Sequence, residues 1–309
     1  MIRYIATRIV RAVLTLFGVL TVSFLLLHMN GSPSALMLPP SATPADIAAL
    51  DHDLGFDRPL AVQYGRFVVA AAHGDFGTSL RQGVPAIDLV LQRLPATIEL
   101  ALTSFVFGAG LAFLLAVAIQ TLGPAGGGRH LRDAVFWIGL VRQAIPSFVF
   151  AVFMVALFAV TLGWLPSMGR GGWRNLVLPT ITVGTFELTL YVRLLDTAFA
   201  DQRRLDYVRT AYAKGASRAR VVLRHMLPNA VLPVLTVAGL NLGSMLGGMV
   251  IIETVFNWPG VGRLVIEAVN VRDFPVVQAG LLLVSASFVV VNLAVDLVYV
   301  ALDPRVARR

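Results

Sequence analysis

Six separate apolar stretches, at roughly 11–29, 97–121, 135–162, 178–200, 230–252 and 277–301, constrain this chain more than any other feature. A helix needs about 20 such residues to cross roughly 30 Å of hydrocarbon, and inside lipid its backbone polar groups must be bonded internally. The expected fold is therefore an all-α integral membrane protein with six transmembrane helices. Composition agrees. Hydrophobic residues make up 57% of the chain and charged residues 14%, where soluble domains run near 45–50% and 25%. Arg3, Arg8 and Arg11 ahead of the first stretch imitate a signal peptide. The stretch is long for one, however, and Asn30-Gly31-Ser32-Pro33 does not resemble a cleavage site, so it reads as a retained helix.

Six spans place both termini on one side. Of the 25 basic residues, 15 fall on that side, 8 on the other, and Arg142 and Arg193 inside spans. The positive-inside rule puts both termini and the 201–229 segment in the cytoplasm. The net charge of +8 is thus a topology signal, and no nucleic-acid partner is expected.

Two segments are larger than connections require. The 30–96 segment opens with Pro33, Pro39, Pro40 and Pro44, then reads as short helices near 44–53 and 60–73. Gly74, Gly77 and Gly83 mark turns before a further amphipathic stretch. The 201–229 segment is charged and Ala-rich with helical periodicity. Both read as surfaces for partners.

Catalytic patterns are missing from the sequence. Lys214 is the only lysine, flanked by Ala213 and Gly215, so no Walker motif exists. There is no cysteine, no His-Glu-x-x-His and no Gly-x-Ser-x-Gly, and the five histidines are scattered. Ser104, Ser147 and Ser285 read as helix-packing residues. The chain is not expected to be an enzyme.

Within 204–217, Val208, Ala211, Tyr212 and Gly215 follow the i, i+3, i+4, i+7 spacing of one helical face. Small residues there permit close approach to another surface, and Gly215 can end the helix. Taken alone, the segment is equally an ordinary basic loop.

The stretch resembles the signature of ABC-importer permeases: Glu-Ala-Ala, three residues, Gly, nine residues, Ile-x-Leu-Pro. Ala211, Gly215, Leu227 and Pro228 match it, whereas Arg209, Thr210 and His225 depart at the Glu, first Ala and Ile positions. Arg-Thr-Ala at this place is familiar from the dipeptide/oligopeptide/nickel branch. Further blocks are similar to that branch. One is Leu54-Gly55-Phe56-Asp57-Arg58-Pro59-Leu60 with Gly74-Asp75-Phe76-Gly77 and Ser79-Leu80, followed by Arg93-Leu94-Pro95-Ala96-Thr97. Another runs from Glu253 to Arg263 through Trp258-Pro259-Gly260, followed by Arg272-Asp273-Phe274-Pro275. The last is Asp303-Pro304-Arg305.

The resemblance implies a type I ABC importer permease in a bacterial cytoplasmic (inner) membrane. Its parts would be an N-terminal segment with the first span (1–29), an external segment (30–96), a five-helix core (97–302) and a cytoplasmic tail (303–309). It implies a second homologous permease subunit, in a heterodimer, and an external solute-binding protein that delivers peptides. Two ATP-binding subunits, or one fused ATPase, would hold the ATP and Mg, leaving no cofactor and no metal in this chain. The 204–217 helix would be the coupling helix on the ATPase, with Asp206, Tyr207, Arg209, Thr210, Ala211, Lys214, Gly215 and Ala216 in it and Leu227 and Pro228 closing the loop. Haem and nickel chelates are the alternative cargoes. A self-sufficient secondary transporter using Glu187 and Asp296 is the alternative mechanism.

Candidate pathway or gate residues are Pro146, Ser147, Glu187, Trp258 and Pro259. Pro146 in span three should free a carbonyl and bend the helix. Glu187, mid-span, should face the pathway or pair with Arg142 or Arg193. Trp258 should sit at the membrane interface, anchoring the external end of span five. Arg193, Asp196 and Asp296 read as structural residues.

Overall fold

A computed structural model of the chain describes residues 2–29, 34, 38 and 41–302. The chain is built of helices. They are α1 (Ile2–Met29), α2 (Pro44–Leu54), α3 (Leu60–Ala72), α4 (Ala86–Leu122), α5 (Gly128–Ala144), α6 (Ser147–Thr161), α7 (Trp173–Arg203), α8 (Asp206–Ala213), α9 (Arg218–Gly248), α10 (Val250–Val255), α11 (Val261–Asn270) and α12 (Phe274–Leu302). Among the described residues there is no strand, only one isolated bridge between Thr78 and Pro85. Five helices are long and apolar enough to cross a bilayer, or six if α5 and α6 make one span. The last block, Asp303-Pro304-Arg305, lies outside the described residues, as does the side chain of Asp296.

Two compact units divide the chain. The first comprises Met1–Thr97, Leu246–Val250 and Pro259–Val290. In it α2 begins with a reciprocal cap: Thr43 N donates to Asp46 Oδ2 at 2.9 Å, and Asp46 N donates back to Thr43 Oγ1 at 3.3 Å. The hydrogen bonds from Thr43 hold the Asp46 carboxyl below its ordinary range. Gly55, at φ 73°, ends the helix in the left-handed conformation. Helix α3 lies beside α1, where Thr21 Oγ1 and Tyr64 Oη are 2.6 Å apart. The core joins Ala71, Phe76, Ala86 and Val90 to Val261, Leu264, Ala268, Val276 and Ala279.

This unit also explains two of the sequence blocks. Ser79 Oγ donates to Asp273 Oδ2, and Leu80 N donates to Asp273 Oδ1 at 3.2 Å. The Gly74–Leu80 block therefore closes on the Arg272–Pro275 block, with Asp273 only 3% exposed. Thr97 Oγ1 accepts from Val261 N at 2.9 Å, capping the start of α11 with a side chain from α4.

The second unit comprises Ile98–Met245, Ile251–Trp258 and Val291–Arg309. Small residues set its helix crossings. A Cβ on Gly108 would stand 2.6 Å from Gly184 O, so α4 and α7 meet backbone to backbone. A Cβ on Gly139 would stand 2.5 Å from Thr189 side-chain atoms, so α5 leaves room there for a side chain of α7.

Differences from the sequence reading have local causes. The second apolar helix begins at Ala86, not 97, and runs through Pro95, which removes one backbone donor inside the helix without ending it. The fifth begins at Arg218, inside the segment read as a loop. Its Val221–Met226 turns are π-wound immediately before Pro228. Proline cannot donate to a carbonyl four residues back, and the wider winding absorbs that loss without ending the helix.

Candidate functional site

Helix α8 follows Arg203 after a two-residue turn and ends at Ala213, with Lys214 as its cap and Gly215 next, whose φ of 78° is the left-handed conformation that stops a helix. An L residue at that position costs roughly 1–2 kcal/mol. Its inner face is Val208 and Ala211, 2% and 8% exposed. They pack with Leu195 and Phe199 of α7 and Val221, Val222 and Met226 of α9. Ala216 and Leu227 pack at the edge of the same cluster. The remaining predicted residues, Asp206, Tyr207, Arg209, Thr210 and Lys214, are exposed, and so is Pro228.

This corrects the assignment of faces. The small-residue face, read as the surface offered to another body, is consumed by the chain's own core, and Tyr212 points away from it. The physical reason is the shortness of α8. Such a helix holds its place only by burying its apolar stripe beneath it. What it presents outward is polar and mixed in charge. Tyr207 Oη donates to Gln202 Oε1 at 2.6 Å, and Thr210 Oγ1 donates to Asp206 O at 2.9 Å. Arg209 and Asp206 approach to 3.5 Å as an exposed pair, which contributes little by itself.

Beside α8 a polar chain ties the longer helices together. Arg218 Nε donates to the Gln120 carbonyl at 2.6 Å, and Gln120 Nε2 donates to Asp196 Oδ1 at 2.9 Å. Arg132 Nη2 is 2.9 Å from Asp196 Oδ2. Four helices, α4, α5, α7 and α9, are thereby tied beside α8. Asp196 was legible as structural, since a carboxylate among apolar neighbours needs a partner. Its partners were not, because Gln120, Arg132 and Arg218 lie far from it in sequence.

At the α5–α6 junction the helix axis turns by 102°. Ile145 is extended (φ −92°, ψ 121°), as a residue before proline must be, and Pro146 begins α6 with Ser147 next. Arg142 answers the carbonyl freed there: Nη1 donates to Ile145 O at 3.1 Å, Nη2 to Thr182 O at 2.7 Å, and Nε to Thr185 Oγ1 at 3.1 Å. The Phe150 ring centroid lies 4.1 Å from its Cζ. One guanidinium thus fastens the break to α7.

Arg142 is consequently not a partner of Glu187, and neither is Arg193, which lies over the Phe136 ring at 5.9 Å. Glu187 Oε2 instead accepts from Asn241 Nδ2 at 3.0 Å, linking α7 to α9. Trp258 is also corrected. It is wholly buried, not interfacial. Asn257 at φ 50° and the bond from Trp258 N to Glu253 O turn the chain so that the indole faces inward. Pro259 is half-buried beside it. Among the described residues no group of His, Asp and Glu could hold a metal.

With a multi-span helical bundle, a short outward-facing helix and a polar linkage into the spans established, the comparison with known proteins is specific. Residues 125–308 match the family of the binding-protein-dependent transport system inner membrane component, and residues 1–101 match the N-terminal part of such membrane components. The chain belongs to this family. It is 37% identical over 307 residues to the glutathione transport system permease protein GsiC of Shigella flexneri and 36% identical to that of Escherichia coli K12, covering 99% of both chains in each case. Its fold resembles that of a chain of the MetNI methionine ABC transporter in an inward-facing conformation. The TM-score there is 0.56 at 18% identity, covering 69% of this chain and 96% of that one. The protein is a multi-pass inner-membrane permease subunit of an ABC importer, a transport component and not the ATPase.

Proposed function

We propose that the chain is one of two six-span permease subunits of a peptide importer, with both termini in the cytoplasm and α5–α6 forming one broken span. The observation that carries this reading is α8. It is a short helix seated on its own core and polar outward, next in sequence to the helix whose Arg218 begins the Arg218–Gln120–Asp196–Arg132 chain. A partner ATPase that holds ATP and Mg presses on Tyr207, Thr210 and Lys214, and the buried Val208 and Ala211 pass the displacement to α7 and α9. The spans then rock between outward- and inward-open arrangements as rigid bodies.

Whole-length similarity to glutathione permeases supports a small peptide as cargo, released by an external solute-binding protein docked on the 30–96 segment. To Glu187, bonded to Asn241 within the bundle, we assign either contact with the cargo or the setting of the α7–α9 spacing. The test is uptake of labelled glutathione and of a dipeptide into proteoliposomes holding this chain with its paired permease, ATPases and binding protein. ATP-dependent uptake of either supports the reading. Uptake by this chain without ATPase overturns it in favour of a secondary transporter.

A further inference from the structure

The first unit contains a half-open cavity of about 400 Å³ that none of the transport roles uses. Its described walls come from α1 (Phe24, His28), the end of α2 (Phe56), α3 (Gln63, Arg66, Phe67), the 76–80 turn and the start of α12 (Phe274, Gln278). A volume of this order and a mainly apolar, aromatic lining are the marks of a small-molecule site.

The cavity is held open by bonds that leave few polar groups free. Gln63 Nε2 donates to Phe56 O at 2.8 Å and to Arg58 O at 2.7 Å, which fixes its amide. Gln63 Oε1 then lies 2.9 Å from His28 Nε2, while His28 Nδ1 lies 2.9 Å from Phe24 O. The Ser79–Asp273 bond clamps the 76–80 turn to the start of α12. Phe24 and Phe67 stack at 5.7 Å.

Two donors remain. Gln278 is 8% exposed, and its side-chain nitrogen has no hydrogen-bond partner although it lines the cavity. A buried donor left unmet costs about 1–3 kcal/mol, so such a group is a strong sign of an acceptor supplied from elsewhere. Arg66, an exposed residue, lines the same cavity, and no Asp or Glu is among the described lining residues. A cation and an amide donor above phenylalanine walls select an anionic acceptor on an apolar body and disfavour a free amine.

We propose that this cavity binds a small amphipathic carboxylate, its apolar group among Phe24, Phe56, Phe67 and Phe274 and its carboxylate between Gln278 Nε2 and Arg66. The site is independent of the importer reading above, because its binding is measured without transport.

The test uses the full chain in lipid nanodiscs, with N-acetyl-L-phenylalanine as the carboxylate probe and N-acetyl-L-phenylalaninamide as its uncharged counterpart, followed by saturation-transfer NMR and calorimetry. The carboxylate should bind about tenfold more tightly than the amide, the ratio expected from one charge-assisted hydrogen bond. Gln278→Met and Arg66→Gln should each remove most of that difference. Arg66 is exposed, so its variant keeps the test valid if Gln278→Met fails to fold. Equal binding of the two probes, no binding of either, unaltered preference in Arg66→Gln, or a copurified phospholipid that the carboxylate does not displace would each overturn the assignment.

Discussion

Arg218 Nε donates to the backbone carbonyl of Gln120 at 2.6 Å, fixing the first turn of α9 to the last turn of α4 just beyond the Gly215 stop. Gly123 makes room for it. A Cβ there would fall 2.5 Å from Arg218 Cζ, and its φ of 65° already favours glycine. If displacement of α8 reaches the spans through this contact, Arg218→Met leaves the complex assembled but lowers cargo moved per ATP hydrolysed. The expected loss is at least about fivefold, the low end of typical coupling between sites. Asp196→Ala removes the acceptor of the buried Gln120 amide and should also destabilise the chain by about 1–3 kcal/mol. Uptake and hydrolysis measured on one preparation, with thermal unfolding, separate these outcomes.

The two faces of α8 make opposite predictions. Val208→Ala opens a hole in the core it shares with Phe199 and Val221 and should cost about 2 kcal/mol, seen as lower abundance in the membrane. Ala211→Arg is worse, because a charge is forced into the same cluster. Tyr207→Ala and Lys214→Ala should leave abundance unchanged and weaken only ATPase recovery on purification.

Much of this was legible in the sequence. Spans of about 20 apolar residues announce themselves because lipid imposes one rule on all of them. Pro44 and Gly55 bracket α2 through local backbone geometry, and Pro146 marks the break. What could not be read is which face turns where. Val208, Ala211 and Tyr212 share a periodic stripe, but only the position of Phe199 and Val221 decides that two are buried and one exposed. Trp258 looked interfacial because tryptophan commonly is. The positive φ of Asn257, which turns it inward, has no signature in the residues around it. Pairings such as Ser79 with Asp273 join residues 194 positions apart, and no local pattern encodes them.

Glu187→Gln keeps an acceptor for Asn241 and removes the charge. If the carboxylate meets cargo, the variant should assemble normally, with a changed rate or a changed preference between peptides with free and acetylated amino termini. Unchanged rate and preference would leave Glu187 only its bond to Asn241.

Asp46 gives a pH prediction with a definite sign. Its folded-state pKa lies below the ordinary 3.8 because Thr43 bonds to the ionised form. The cap is therefore at full strength above that value and is lost as pH falls through the lower, folded-state value. Hydrogen exchange across 44–54 should quicken on that acid side, while α11, capped by the neutral Thr97 hydroxyl, changes less. Thr43→Ala should remove the pH dependence.

The chain has no cysteine, so single cysteines placed on α8 and its C-terminal cap report the neighbours of α8 without background from this chain. The most direct test of the central claim is cross-linking in native membranes from Lys214→Cys, Thr210→Cys and Val208→Cys, with the captured chain identified by mass spectrometry. The account predicts an ATPase subunit joined at 214 and 210 and no intersubunit product at 208. Capture of an ATPase at 208 alone, or at none of the three in an ATP-dependent importer, would contradict it.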